Sequence, residues 1–323
     1  MIKTAKKEYI FAAGEVTKSC HASTVLPRKD GSVLASWFGG NAEKDKDVEI
    51  YVALRSPKGQ WSKPRCVSEK DNIPCWNPVL YERKDGVIIL FYKYGNEIAE
   101  WITKFVASAD GGRHWSTPQE LVPGDYSGGR GPVKNKCLRV TSRLLLAPAS
   151  TEHKDLWLPF IDISEDDGET WTRTPLMERP DYNGAEVKLI QPSLWEDAEG
   201  GIHCFLRSNQ GALYRCDSLN SGHDWGKPYR TNIPNNNSGI DCCTDDQKRL
   251  WLAYNPVGED WGPRYPLCLA CSKDNGRSFT DLMALEAEEG EYSYPAIVFM
   301  DGALHLTYTY KREQIAYWRI ELE

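Results

Sequence analysis

Ser108-Ala-Asp110-Gly-Gly112-Arg-His-Trp115 is one octet of a motif that returns three times further along the chain. The later copies are Ser164-Glu-Asp166-Asp-Gly168-Glu-Thr-Trp171, Ser218-Leu-Asn220-Ser-Gly222-His-Asp-Trp225 and Ser272-Lys-Asp274-Asn-Gly276-Arg-Ser-Phe279. A worn version, Ser56-Pro-Lys-Gly59-Gln-Trp61, precedes them, and the Ser-to-Ser intervals are 52, 56, 54 and 54 residues. The octet has a local logic. Its Asp or Asn caps the turn through the side chain, its Gly takes the positive-φ position, and its aromatic residue anchors the turn between strands. Near-constant spacing of such a unit marks a chain built from repeats.

A second element recurs in step. Each repeat opens on a small or polar cluster, followed by an apolar strand, a turn and another apolar strand. The openings are Cys20-His-Ala-Ser-Thr-Val, Cys75-Trp-Asn-Pro-Val, Lys134-Asn-Lys-Cys, Gln191-Pro-Ser-Leu, Ser238-Gly-Ile-Asp and Ser293-Tyr-Pro-Ala-Ile. Six openings of about 54 residues fill the chain, which predicts an all-β, six-bladed β-propeller as a single domain over 1–323. The last unit ends on Ile315–Ile320 and lacks an outer strand. A segment around 8–14, Tyr9-Ile-Phe-Ala-Ala13, is expected to supply it and close the ring.

Composition agrees with many short strands: 12 Trp, 16 Tyr, 26 Gly and 19 Pro in 323 residues. A net charge of −7 with no basic stripe argues against a nucleic-acid surface. No apolar run approaches the length of a membrane-spanning helix, and Met1–Val16 has no signal-peptide core. The ten scattered cysteines are therefore expected to be reduced thiols of a cytoplasmic protein. Cys268-Leu-Ala-Cys271 lies in an apolar stretch and reads as strand packing rather than a metal or redox pair, and no metal or cofactor motif is found. Nothing in the sequence sets an oligomeric state.

In a propeller the first strand of each blade lines the axis, so the openings and the loops after each second strand should form the functional face. They carry His21, Trp37, Asp47, Trp76, Asn77, Lys134, Asn135, Glu152, Gln191, Arg207, Arg264, Tyr292 and Tyr294. Aromatic rings among charged groups suit a sugar, with rings on its apolar faces and polar groups on its hydroxyls. Lys134-Asn135-Lys136 also reads as a solvated turn, and Asp241 as a cap of the turn after Gly239.

The octet resembles the Asp box of the sialidase superfamily, a resemblance that covers the whole chain through its repeats. It implies a sialidase-like propeller. It also implies three arginines holding a sugar carboxylate, a tyrosine nucleophile assisted by a glutamate, and an acid/base aspartate. Asp47, 26 residues after His21, resembles that aspartate. Arg207 and Arg264 are similar to the second and third arginines, and Tyr292, in Glu291-Tyr292-Ser293, to the tyrosine, with Tyr294 close behind. Two positions depart. His21 stands where the first arginine is expected, and Gln191, sixteen residues before Arg207, stands where the glutamate is expected. Cys-His-Ala-Ser, Trp-Phe-Gly-Gly, Pro-Cys-Trp-Asn-Pro-Val and Tyr-Ser-Tyr-Pro-Ala resemble a "predicted neuraminidase" subgroup of the BNR-repeat proteins.

Three functions follow from this set. The first is an exo-acting glycoside hydrolase releasing a terminal acidic sugar. In it Arg207, Arg264 and Lys134 hold the carboxylate, Tyr292 or Tyr294 acts at the anomeric centre, and Asp47 or His21 protonates the leaving oxygen. Asp47 with Asp241 is an alternative carboxylate pair. The second is a uronic-acid lyase with His21 as base, Arg207 with Gln191 or Asn77 as neutralisers, and a tyrosine as acid. The third is a sugar-binding propeller without catalysis. A small acidic saccharide is the expected partner in each.

Overall fold

The computed structural model describes residues 2–154 and 156–323. Six four-stranded antiparallel sheets form the blades of a ring. Blade one is Ser19–Pro27, Val33–Gly40, Glu49–Arg55 and Arg65–Cys66. Blade two runs Cys75–Glu82, Ile88–Tyr94, Ile102–Ser108 and Gln119–Glu120, and blade three Leu138–Arg139, Leu145–His153, Leu156–Ser164 and Thr172–Arg173. Blade four is Leu189–Glu196, Ile202–Ser208, Ala212–Asp217 and Tyr229–Pro234, and blade five Asp241–Thr244, Leu250–Tyr254, Leu267–Ser272 and Asp281–Glu286. Blade six combines Tyr292–Met300, Ala303–Tyr310 and Gln314–Leu322 with Ile2–Tyr9 from the other end of the sequence.

The closing strand is thus Ile2–Tyr9 rather than the segment around 8–14. It pairs antiparallel with the last strand from Ile2↔Leu322 to Tyr9↔Ala316. The apolar residues that suggested a strand at 9–13 do a different job. Ile10 and Phe11 are buried under the chain as it crosses from the outer edge to the axis, and Phe11 stacks on Trp37 at 4.8 Å. The true strand is lysine-rich and mostly exposed, as suits an outermost edge that must not pair further. Arg55 and Trp61, before and at the end of the worn copy in blade one, help hold it. Arg55 donates to Glu8 through Nε (3.0 Å) and Nη2 (2.9 Å), and the Trp61 indole N–H donates to Glu8 at 3.3 Å.

Apolar residues fill the wedges between blades. Leu34, Ile50 and Val52 of blade one pack with Leu80, Ile88 and Leu90 of blade two. Leu267 and Leu269 of blade five pack with Leu304 and Leu306 of blade six, and Val33 and Ala35 meet Ile315 and Tyr317 where the ring closes. At about 1.5–3 kcal/mol for each large apolar side chain buried, these wedges stabilise the ring without cross-links. Cys268 and Cys271 are buried in the third strand of blade five.

The octets sit at the outer turns. In blade two, Ser108 Oγ donates to Asp110 (2.9 Å), Gly112 N donates to Ser108 Oγ (2.9 Å), and the N–H groups of Arg113 and His114 donate to Asp110. The turns at Ser164 and Ser272 repeat this pattern. Trp115, Trp171, Trp225 and Phe279 each insert into an inter-blade wedge. Gly112 has φ +85°, and a Cβ there would lie 2.3 Å from Leu34 of blade one, so the turn can dock on its neighbour only as glycine.

Candidate active site

The axial face is shaped by one backbone device used repeatedly. The first strands of four blades carry a register shift against their second strands, between His21 and Thr24, Trp76 and Val79, Ile190 and Ser193, and Ser293 and Ala296. At each shift a residue takes positive φ: Ala22 (54°), Asn77 (43°), Gln191 (55°) and Tyr294 (55°). Lys134 (63°) and Asn237 (54°) do the same in the openings of blades three and five. An extra residue in one strand re-aims its side chain, and non-glycine positive φ is held only where the surroundings over-determine it. In three cases proline follows, Pro78, Pro192 and Pro295, so the disrupted ladder leaves no unpaired N–H there.

Tyr294 stands at the centre of the result. Its Oη accepts a hydrogen bond from Arg207 Nη1 at 2.8 Å and a longer one from Gln191 Nε2 at 3.4 Å. Arg207 is nearly fully buried, and Nε donates to Asn237 Oδ1 at 2.7 Å. Its guanidinium also lies 5.8 Å from the Trp157 ring and 5.6 Å from the Trp261 ring. Gln191, where the resemblance led us to expect a carboxylate, is a donor to the tyrosine oxygen and not its base.

Two further arginines reach the same cavity. Arg264 donates to Glu291 at 2.8 Å, and its guanidinium lies 5.7 Å from the Tyr294 ring. Arg312, from the tight turn between the last two strands of blade six, donates through Nε to Glu291 (2.5 Å) and through Nη1 to Glu43 (2.7 Å). Its carbonyl accepts from Cys20 N at 2.8 Å, which ties this turn to the first strand of blade one. Three guanidinium groups therefore converge beside Tyr294 in a cavity of about 340 Å³, inside a protein whose net charge is −7.

The His21 ring lies 4.2 Å from the Tyr294 ring, and Nδ1 shares a hydrogen bond of 2.9 Å with Thr309 Oγ1. Burial first, then the positive charges of Arg312, Arg264, Arg207 and Lys134, push its pKa well below the ordinary histidine value. It is a neutral imidazole at pH 7. Trp76 and Asn77 line the wall, with Trp101 tilted against Trp76 at 5.2 Å. Across the cavity, Glu152 and Trp157 face each other in register on the long hairpin of blade three, and both line it. Burial raises the Glu152 pKa, and Arg207 offsets part of that.

Several expected site residues lie elsewhere. Asp47 is exposed, and its carboxylate accepts Asn41 N (3.2 and 3.1 Å), bracing the loop whose Glu43 and Lys44 line the cavity in its stead. Tyr292 points into the blade five–six wedge, 5.2 Å from the Tyr310 ring, and burial first pushes its pKa up to about 12. Trp37 is fully buried between Phe11 and Tyr51. Lys134 is beneath the cavity and not in its lining. Nζ donates to Asn135 Oδ1 (2.8 Å), to the Ile240 carbonyl (2.7 Å) and to the Pro295 carbonyl, so its protons are taken up by the protein. Asn135 donates to the Gln191 (2.9 Å) and Pro192 (3.0 Å) carbonyls and fixes that bulge. Asp241 is buried against Lys136, Ser193 Oγ, Cys242 N and Ile297 N, which makes it a structural junction of blades four, five and six.

Arg312, Glu43, Trp157 and Trp261 were not singled out from the sequence. Arg312 sits in Tyr310-Lys-Arg312-Glu, which reads as a hairpin turn, and Glu43 sits in a charged loop. The x-Pro pairs at 77–78, 191–192 and 294–295 were a usable signal, because proline inside a strand pattern marks a bulge.

The family model for the BNR repeat-like domain matches residues 31–306. Among solved structures, the chain is similar to the Hadza microbial sialidase Hz136 (TM-score 0.83, 17% identity, covering 98% of this chain and 68% of that one). It is similar to a protein of unknown function from Dyadobacter fermentans (TM-score 0.79, 14% identity, 100% of both chains). It is also similar to Trypanosoma rangeli sialidase in complex with the inhibitor DANA (TM-score 0.76, 14% identity, 99% of this chain and 60% of that one). At these identities the likeness is one of fold. No curated protein matches the chain.

Proposed function

Since the chain belongs to the BNR repeat-like domain family and has the six-bladed ring of the sialidases, we propose that it is a carbohydrate-active enzyme acting on a terminal acidic sugar in the axial cavity. The observation that carries this reading is the convergence of Arg207, Arg264 and Arg312 beside Tyr294. Planar guanidinium groups suit a planar carboxylate, and an acidic protein gains from confining them to one pocket. With the carboxylate so held, the anomeric centre lies beside Tyr294 Oη, as an exo-acting glycoside hydrolase requires. The donors from Arg207 and Gln191 stabilise negative charge on that oxygen. Glu152, whose carboxyl pKa is raised by burial, protonates the leaving oxygen.

One observation favours a second reading, β-elimination from a uronic acid. The unprotonated His21 beside Tyr294 has a lone pair to accept a proton, and the arginines would neutralise the carboxylate next to the carbon that loses its proton. Incubation with a panel of terminal sialosides and uronosides separates the two. Free acidic sugar without new ultraviolet absorbance supports hydrolysis. Growth of the absorbance of an unsaturated uronic product overturns it in favour of elimination. Saturable binding without turnover overturns both.

A further inference from the structure

Arg312 holds two carboxylates, and they are not equivalent. Glu291 is a fixed counter-ion: it accepts from Arg312 Nε (2.5 Å), Arg264 Nη1 (2.8 Å) and Ser293 Oγ (3.4 Å) and directly precedes the first strand of blade six. Among the described residues Glu43 has a single hydrogen-bond partner, Arg312 Nη1 at 2.7 Å, and it sits on the loop between the second and third strands of blade one. That loop is braced on itself. Asp47 accepts Asn41 N, Asp45 N donates to the Ala42 carbonyl at 3.1 Å, and Val48 N to the Asp45 carbonyl at 3.1 Å. The brace presents Glu43 to the cavity while leaving its side chain 38% exposed at the mouth.

An acidic sugar held by the three arginines would bring a third carboxylate to a guanidinium that already serves two. Like charges that close repel, and the carboxylate with one donor yields before the carboxylate with three. We propose that Glu43 is a specificity-determining residue: it occupies Arg312 as an internal stand-in for the sugar carboxylate, and a ligand enters the full arginine set by exchanging with it. A neutral sugar has nothing to exchange and leaves the Glu43–Arg312 pair shut across the mouth. The inference rests on the acidic-sugar reading of the cavity.

Calorimetric titration with free N-acetylneuraminic acid and free glucuronic acid, with galactose as the neutral control, tests it on wild type, Glu43→Gln and Glu291→Gln. Removing the competitor should tighten acid binding by Glu43→Gln at least about 5-fold, with galactose binding undetectable. Glu291→Gln should weaken acid binding, because Arg264 and Arg312 lose the group that orients them. A melting temperature for each variant shows that the ring is intact. If wild type binds an acid and Glu43→Gln binds it no tighter, or more weakly, the exchange is overturned while the acidic-sugar reading stands. If Glu43→Gln gains galactose binding equal to its gain for acids, Glu43 is only a steric cover and the inference falls. If none of the three proteins binds either acid, both readings fall together.

Discussion

Arg207 of blade four donates a 2.8 Å hydrogen bond to Tyr294 Oη of blade six, joining two side chains 87 residues apart across the propeller axis. Gln191 adds a second donor to the same oxygen. The tyrosine oxygen thus accepts from a guanidinium and an amide, both of which stabilise negative charge on it.

Tyr294→Phe should reduce turnover by about 100-fold or more while leaving the melting temperature near that of wild type. Tyr292→Phe should stay within about threefold, because that ring packs in the blade five–six wedge. Steady-state kinetics on both variants decide the matter, and the reverse ranking would return the site to Tyr292.

Arg312→Lys keeps the charge but loses the planar fork. It should raise KM by roughly 10-fold with little change in kcat, and Arg312→Gln should raise it by roughly 100-fold. A fall in kcat alone would mean that Arg312 acts in the chemical step and not in holding the carboxylate.

Stability should fall in mild acid through two buried histidines. Burial lowers the His305 pKa to about 4, with Arg319 and Arg55 adding to the effect, and His21 is lowered in the same way. The unfolded chain takes up the His305 proton near pH 6.5, the folded chain only below about 4. The stability is present above pH 6.5 and is lost as pH falls toward 4, by roughly 3 kcal/mol for His305. Urea unfolding at pH 7 and pH 5 should show the loss. His305→Gln should shrink it, and an unchanged pH dependence would rule His305 out.

Glu8→Ala removes the acceptor of both Arg55 and Trp61 at the ring closure. It should cost about 2 kcal/mol, seen as a lower denaturation midpoint. Glu321→Ala, further along the same strand pair opposite Thr4, should be near neutral. Equal effects would show that the closure does not depend on the Arg55 contact.

The fold was legible because its signal is local. Each octet completes its own hydrogen bonds within eight residues, so Ser164 to Trp171 states its turn without reference to the rest of the chain. The site is only partly so. Tyr292 and Tyr294 have the same parity on one strand, and alternation alone would send both to one face. The bulge between Ser293 and Ala296 separates them, turning Tyr294 to the axis and leaving Tyr292 in the wedge. Trp37 lies elsewhere for a related reason, since an aromatic residue within a second strand can face either the axis or the neighbouring blade. Arg312 was invisible because its position depends on the turn of blade six meeting blade one, a contact spanning nearly the whole sequence. Asp47 stands at a plausible spacing, but the loop folds so that its carboxylate braces the backbone and Glu43 takes the place at the cavity.

The pairing of Ile2–Tyr9 with Gln314–Leu322 has a consequence for biosynthesis. The strand made first must wait for the strand made last. At about 5–20 residues per second the interval is roughly 15–60 s. Throughout it five blades can form in order of emergence, each resting on the one before, while the outermost strand of the sixth waits without its partner. A ribosome that stalls in that window leaves a nearly finished ring with an open seam, so the vulnerable species for this protein is the late nascent chain rather than the early one.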